Sequence, residues 1–250
     1  MPDPDLRGHG YAFHRVSASP PDLFQVMGER GSGTNVIRKL IERNTTAFRT
    51  EGLGWKHGFP VMPAIPQRLI VVCVVRDARK WALSMHKRPW HQDPRDQALG
   101  FSDFIRAPWR SVVDRPEDFE AISDECPSRG EVLQYDRDPI TGLPFPSLFA
   151  LRRAKLAALR GIANRGCSYA FVQMEHVLAD PEDFMIRFRE HFDLMPRPRP
   201  FQMISRSMGQ NMSLSVEARP KTPDAMSEAD LAFMRGELDL EAEALCGYEY

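Results

Sequence analysis

Apolar residues gather in three short runs, and stretches with helical spacing lie between and after them. The runs are "DLFQVM" at 22–27, "RLIVVCVV" at 68–75 and "SYAFVQM" at 168–174. The second is continuous and β-branched, as a strand covered on both faces must be, and predicts a strand of a parallel sheet. Residues 34–44 set Val36, Ile37, Leu40 and Ile41 on one helical face. Residues 151–162 do the same with Leu151, Ala154, Ala158, Leu159 and Ile162. "DPEDFMIRFREHF" at 180–192 opens with Asp180 at an N-cap and Pro181 at the first helical position. A last helix is predicted over 226–245, where Ser227 stands three residues before Asp230 in a capping-box variant. Strands alternating with helices predict an α/β fold with a largely parallel sheet. The stretch 107–147 differs, with many prolines and charges and little periodicity. We expect 88–147 to be a loop-rich insertion in a single domain spanning 1–250.

Composition narrows the partners. A chain of 250 residues with 42% hydrophobic and 27% charged content can bury a sizeable core as an ordinary globular protein. A net charge of −1 gives no electrostatic case for nucleic acid or an anionic membrane as partner. Cys73, Cys126, Cys167 and Cys246 lie far apart with no C-x-x-C pair, so no zinc site, disulfide framework or other metal is expected. The first twenty residues hold no apolar stretch of signal-peptide length, and the run at 69–75 is too short to span a bilayer. The expectation is a cytoplasmic protein; no pattern in the chain sets an oligomeric state.

The candidate chemistry begins at "GERGSGTN", residues 28–35, between the first apolar run and the helix after it. It follows the Walker A outline G-x-x-x-x-G-K-[ST] until the position after the second glycine. Thr34 stands there in place of Lys, followed by Asn35. A glycine-rich turn between strand and helix aims backbone N–H groups and the helix dipole at one point. Gly28, Gly31 and Gly33 allow close approach, and Ser32, Thr34 and Asn35 add side-chain donors. Loss of the lysine argues against ATP or GTP hydrolysis and leaves room for a phosphate–sulfate pair cradled by backbone; a plain tight turn is the other reading. The second apolar run leads directly into Arg76, at the strand end where open α/β sheets place ligand-binding groups. Asp77 can cap a helix from Ala78, which sets Ser84 two turns in. Arg offers a planar fork for phosphate and Ser a hydroxyl; alternatively Arg76 pairs with Asp77 and Ser84 is structural.

Taken together these segments resemble the sulfotransferase family that uses 3′-phosphoadenosine 5′-phosphosulfate (PAPS). "GSGTN" at 31–35 is similar to that family's loop for the 5′-phosphosulfate, and Arg76 with Ser84 has the spacing of its 3′-phosphate pair. "FVQMEHVLADPEDF" at 171–184 looks like its strand–"YEDLLADPE"–helix segment, and the carboxyl-terminal helix is similar to that of many bacterial sulfotransferases. The resemblance covers roughly residues 22–90 and 150–248. It implies a three-layer αβα domain with a P-loop-like loop, PAPS as co-substrate, and transfer of a sulfuryl group to a hydroxyl of a carbohydrate or small-molecule acceptor; the insertion at 88–147 is expected to bind that acceptor. Two positions depart from the family. Gly31 stands where a Lys or Arg is usual, with Arg30 one place earlier, and Val36 replaces the aromatic that often stacks on adenine.

Sulfuryl transfer needs a base for the acceptor proton and cations on the leaving phosphate. His57 in "GWKHGFP" lies between the loop and the second strand, as does the catalytic histidine of the family's "KTHLP" segment, and Lys56 beside it can offset charge. Catalytic roles are thus expected for His57, Lys56 and Arg30, with Glu51 the rival base; Gly31, Ser32, Gly33, Thr34, Asn35, Arg76 and Ser84 are expected to bind the nucleotide. His86 and His91 are expected to be exposed residues near a helix end, and Lys87, Arg88 and Trp90 a solvated helix terminus. "RSMGQNMSLS" at 206–215 stands where the family has a late cofactor-contacting loop, without its R-K-G signature, and Met203, Met208 and Met212 are expected to be packing residues. Two other functions are open to the same scaffold: a P-loop kinase-like phosphotransferase, and a catalytically weak nucleotide-binding protein.

Overall fold

The computed structural model describes residues 4–119, 127–204, 216 and 219–250. In chain order the elements are β1 (Tyr11–His14), β2 (Leu23–Gly28), α1 (Thr34–Asn44), β3 (Phe48–Arg49) and β4 (Leu69–Val75). Next come α2 (Ala78–Lys87), α3 (Pro94–Gln97), α4 (Phe101–Arg106), α5 (Leu148–Arg160) and β5 (Ser168–Gln173). The last are α6 (Met174–Ala179), α7 (Pro181–Phe192), α8 (Glu228–Glu237) and α9 (Leu240–Leu245). The chain divides into two compact units, one of residues 1–77, 155–210 and 239–250, the other of 78–154 and 211–238.

The first unit carries the sheet. Among the described residues five strands pair in the order β1-β5-β4-β2-β3, making a mixed α/β sheet. β2, β3, β4 and β5 run parallel, and β1 adds antiparallel along β5 at the edge. Alternation along β4 explains why its whole run is apolar. Ile70, Val72 and Val74 enter one core, with Phe24, Val26, Ala170 and Val172 beside them. Leu69, Val71, Cys73 and Val75 enter another, with Met27 and Phe171. The first core is closed by Ile37, Leu40 and Ile41 of α1 and by Phe184, Phe188 and Phe192 of α7. The second is closed by Leu156 and Leu159 of α5 and, from the chain's end, by Cys246 and Tyr248. Cys73, Cys167 and Cys246 are free, buried thiols. α7 starts as its sequence predicts: the Asp180 carboxylate accepts from the Asp183 amide at 3.0 Å, with Pro181 first in the helix.

The second unit is built on α2, α4 and α8. Trp81 and Phe149 are fully buried, and the buried Arg152 guanidinium lies 5.1 Å from the Trp81 ring. Asp230 accepts from the Ser102 hydroxyl (2.8 Å), the Ser227 hydroxyl (2.7 Å) and Arg106 (2.5 Å). Between 107 and 147 the described residues form only isolated bridges and two short 3-10 turns, so the absence of periodicity does mark loops. The span from 88 to 106, also expected to be loop, contains α3 and α4. No helix among the described residues is long and apolar enough to cross a membrane.

Three expectations are corrected. The helix predicted over 226–245 is two helices, α8 and α9, with Leu238 extended between them and Asp239 capping the second by accepting from the Ala242 amide at 3.0 Å. His86 and His91 are buried rather than exposed. Both His86 nitrogens are engaged, one by Thr222 (2.7 Å) and one by the Leu99 carbonyl (3.1 Å). His91 sits in a left-handed conformation with its ring on Asp114 (2.5 Å). Met203 is 55% exposed and is not a packing residue; Met208, Met212 and the rest of the 206–215 segment lie outside the described residues.

Candidate anion-binding site

The loop "GERGSGTN" runs from the end of β2 to the start of α1, as its composition predicts. Gly31 and Gly33 take φ of 75° and 96°, the left-handed region where glycine alone is unstrained. The carbonyl of Glu29 accepts the Ser32 amide (3.1 Å) and the Ser32 hydroxyl (2.7 Å), which closes the turn. Both Ser32 donors are therefore used inside the loop. Gly33 occupies the N-cap position of α1 and offers no side-chain cap, so the first-turn amides at Thr34 and Asn35 keep no such partner. An uncapped helix start behind two left-handed glycines can serve as a backbone anion cradle. A Cβ on Gly33 would come within 2.3 Å of the Met174 sulfur, so a larger residue there requires that side chain to move.

Residues 54–59 dock onto the strand end just before this loop. The Gly28 amide donates to the Lys56 carbonyl at 2.9 Å. The His57 Nδ1 lies 2.6 Å from the Gly28 carbonyl, and since a carbonyl only accepts, Nδ1 carries the proton. That tautomer leaves the lone pair on Nε2, as a base requires. His57 is half-buried, and burial, the first cause, holds its pKa well below the usual imidazole value. The cations Lys56, Arg30 and Lys155 push the same way, against the Gly28 bond. His57 is neutral at pH 7. Lys56 is held by the Asn35 side-chain oxygen at 2.8 Å, which joins two predicted site residues across the loop. Arg30 is buried and stands 5.7 Å from the Trp55 ring.

Arg76, just past β4, donates to the Gly31 carbonyl at 2.7 Å and lies 4.0 Å from Glu175. It thus braces the loop in addition to any ligand role. Ser84 lies on α2, half-buried, in the second unit. Glu51 sits 3.4 Å from Arg49. The structure therefore gathers Gly31, Ser32, Gly33, Thr34, Asn35, Arg30, Lys56, His57 and Arg76 in the first unit.

Three further residues belong to this group that the sequence reading did not assign to it. Lys155 is buried, donates to the His57 carbonyl at 2.7 Å and lies 5.9 and 5.6 Å from the rings of Trp55 and Phe59. Its one signal is position: a lysine four residues after Leu151 and four before Leu159, on the apolar stripe of its helix. Glu175 accepts from the Asp77 amide (3.3 Å) and the Tyr248 hydroxyl (2.8 Å), which anchors the Arg76 end of the site. Glu29 is buried inside the same loop. Among the described residues no group of three His, Cys, Asp or Glu side chains could hold a metal ion. Compared with protein-family models, curated proteins and solved structures, the chain finds no match.

Proposed function

We propose that the protein is a PAPS-dependent sulfotransferase acting on a hydroxyl of a carbohydrate or small-molecule acceptor. The observation that carries this is the uncapped, glycine-led start of α1 with a neutral histidine and a lysine docked on the strand end beside it. The donor set fits a phosphosulfate. First-turn amides and the Thr34 hydroxyl are donors, Lys56 and Arg30 supply the cations that Gly31 cannot, and no lysine stands at the triphosphate-reading position. His57 Nε2 would accept the acceptor's proton, while Lys56, positioned by Asn35, would offset charge growing on the leaving oxygen. Arg76 keeps the 3′-phosphate role of the motif it resembles. On this reading the sheet and its helices are a three-layer αβα, P-loop-like scaffold.

The test is thermal stabilisation by adenosine 3′,5′-bisphosphate against ATP with Mg²⁺. The bisphosphate should raise the melting temperature more, equivalent to about 2.7 kcal/mol at a hundredfold excess over its Kd. His57→Ala should lower turnover by ~10²–10⁴-fold with nucleotide affinity nearly unchanged. Stabilisation by ATP equal to that by the bisphosphate favours the kinase-like alternative. Bisphosphate binding together with full turnover in His57→Ala moves the base elsewhere, with Glu51 next. Bisphosphate binding without turnover on any hydroxyl acceptor leaves the nucleotide-binding protein. No response to either ligand ends the nucleotide reading.

A further inference from the structure

The first unit holds a second cluster of cations, away from the start of α1 and at the helix's opposite end. Arg43, Arg189, Arg197 and Arg199 line a pocket of about 140 Å³, with Glu182 as the one carboxylate among the lining residues and Phe201 as an apolar wall. Four like charges in one concavity repel, so the fold must hold them there. Three are held by main chain. Arg197 donates through Nε to the Glu42 carbonyl (3.0 Å), Arg199 to the Arg43 carbonyl (3.1 Å), and Arg43 to the Met203 carbonyl (3.4 Å). The first two satisfy last-turn carbonyls of α1, which accounts for one donor of each guanidinium and, among the described residues, leaves the other donors of each fork. Arg189, half-buried on α7, makes no side-chain hydrogen bond or ion pair among the described residues. None of the four lies within ion-pair distance of a carboxylate among the described residues. The nearby Glu42 side chain is turned to Arg38 (3.9 Å) and Arg49 (3.8 Å).

We propose that this pocket is a binding site for a tetrahedral oxyanion, a phosphate or sulfate group. Its guanidiniums are pre-positioned forks, the geometry that reads such groups through paired N–H bonds. A water takes about 30 Å³, so the volume admits the oxyanion with residual waters. Capping of α1 alone would explain Arg197 and Arg199; it does not explain Arg189, which caps nothing and faces the same space.

The test is local to the pocket. In the full-length protein, the Arg189 Nε–H resonance, assigned by its loss in Arg189→Gln, is followed by NMR during titration with inorganic phosphate and, separately, with glycerol phosphate. The signal should move saturably. Arg189→Gln, which breaks no side-chain hydrogen bond among the described residues, should weaken the response of the Arg197 signal about tenfold or more. Tighter binding of glycerol phosphate than of inorganic phosphate assigns an ester on a larger molecule, and the reverse assigns the free ion. An Arg189 signal that does not move with either probe, or an Arg197 response unchanged in Arg189→Gln, overturns the proposal. Because the readout belongs to these arginines, it is independent of whether the loop at 28–35 binds nucleotide.

Discussion

At His57 a hydrogen bond decides which nitrogen is free, and burial decides when the ring is charged. The depressed pKa has a consequence for stability that needs no substrate. Below about pH 6.5 the unfolded chain takes up a proton on this histidine while the fold does not, so stability falls as pH drops through that value towards the folded pKa. His86 and His191 are shifted downward by burial as well and add to the fall. His57→Asn should therefore show a shallower loss of melting temperature between pH 7 and pH 5 than the wild type; an identical slope would mean that His57 titrates normally. Gly33 is the second decisive residue. Gly33→Ala forces a side chain into φ 96° and against Met174, so it should cost about 1–2 kcal/mol by the left-handed backbone alone, as well as nucleotide affinity. The double variant Gly33→Ala, Met174→Ala relieves the contact and not the dihedral. Full recovery in that double variant would show that crowding, not backbone, fixes the glycine.

Elements were legible where their burial is regular. The run at 69–75 is apolar at every position because β4 lies in the sheet interior with a core on each face. Asp180-Pro181 and Ser227 announced their helices because each cap acts on a backbone amide close by in the chain. β1 escaped notice because "YAFH" is half-buried at an edge and has neither an apolar run nor strict alternation, and the two-residue β3 leaves no periodicity at all. The break between α8 and α9 was legible in principle: Asp239 stands three residues before Ala242 as Ser227 does before Asp230, a second cap hidden inside one apparent helix. Asp239→Ala should cost about 1 kcal/mol of stability, read by chemical denaturation, whereas a mid-helix Asp→Ala would stabilise. In the site, the loop and Lys56–His57 were readable because their chemistry is consecutive. Lys155 and Glu175 were not, since each meets its partners only through tertiary contact, across 98 residues to His57 and to Asp77.

On the scale of the whole molecule, the unit that carries the sheet is assembled from three separate pieces of chain. Its final piece is small but central. The Leu6 amide donates to the Leu245 carbonyl (2.8 Å), the Gln173 side chain to the Cys246 carbonyl (2.5 Å), and Tyr248 packs in the second core while bonding Glu175. Deleting 239–250 should abolish the cooperative thermal transition of this unit, since losing one buried aromatic already costs about 3–5 kcal/mol. A truncated chain that still melts sharply at the wild-type temperature would show that the last segment is dispensable.

The free thiols turn this architecture into a clock. Cys73, Cys167 and Cys246 all belong to the sheet-bearing unit, and burial pushes the Cys73 thiol well above its ordinary pKa and raises that of Cys167. A sulfhydryl reagent attacks thiolate, and these buried sulfurs present no access while the unit is closed. In a Cys126→Ser background the rate of covalent labelling under native conditions therefore counts openings of this unit alone. A ligand that occupies the loop at 28–35 would slow that clock before any product could be detected.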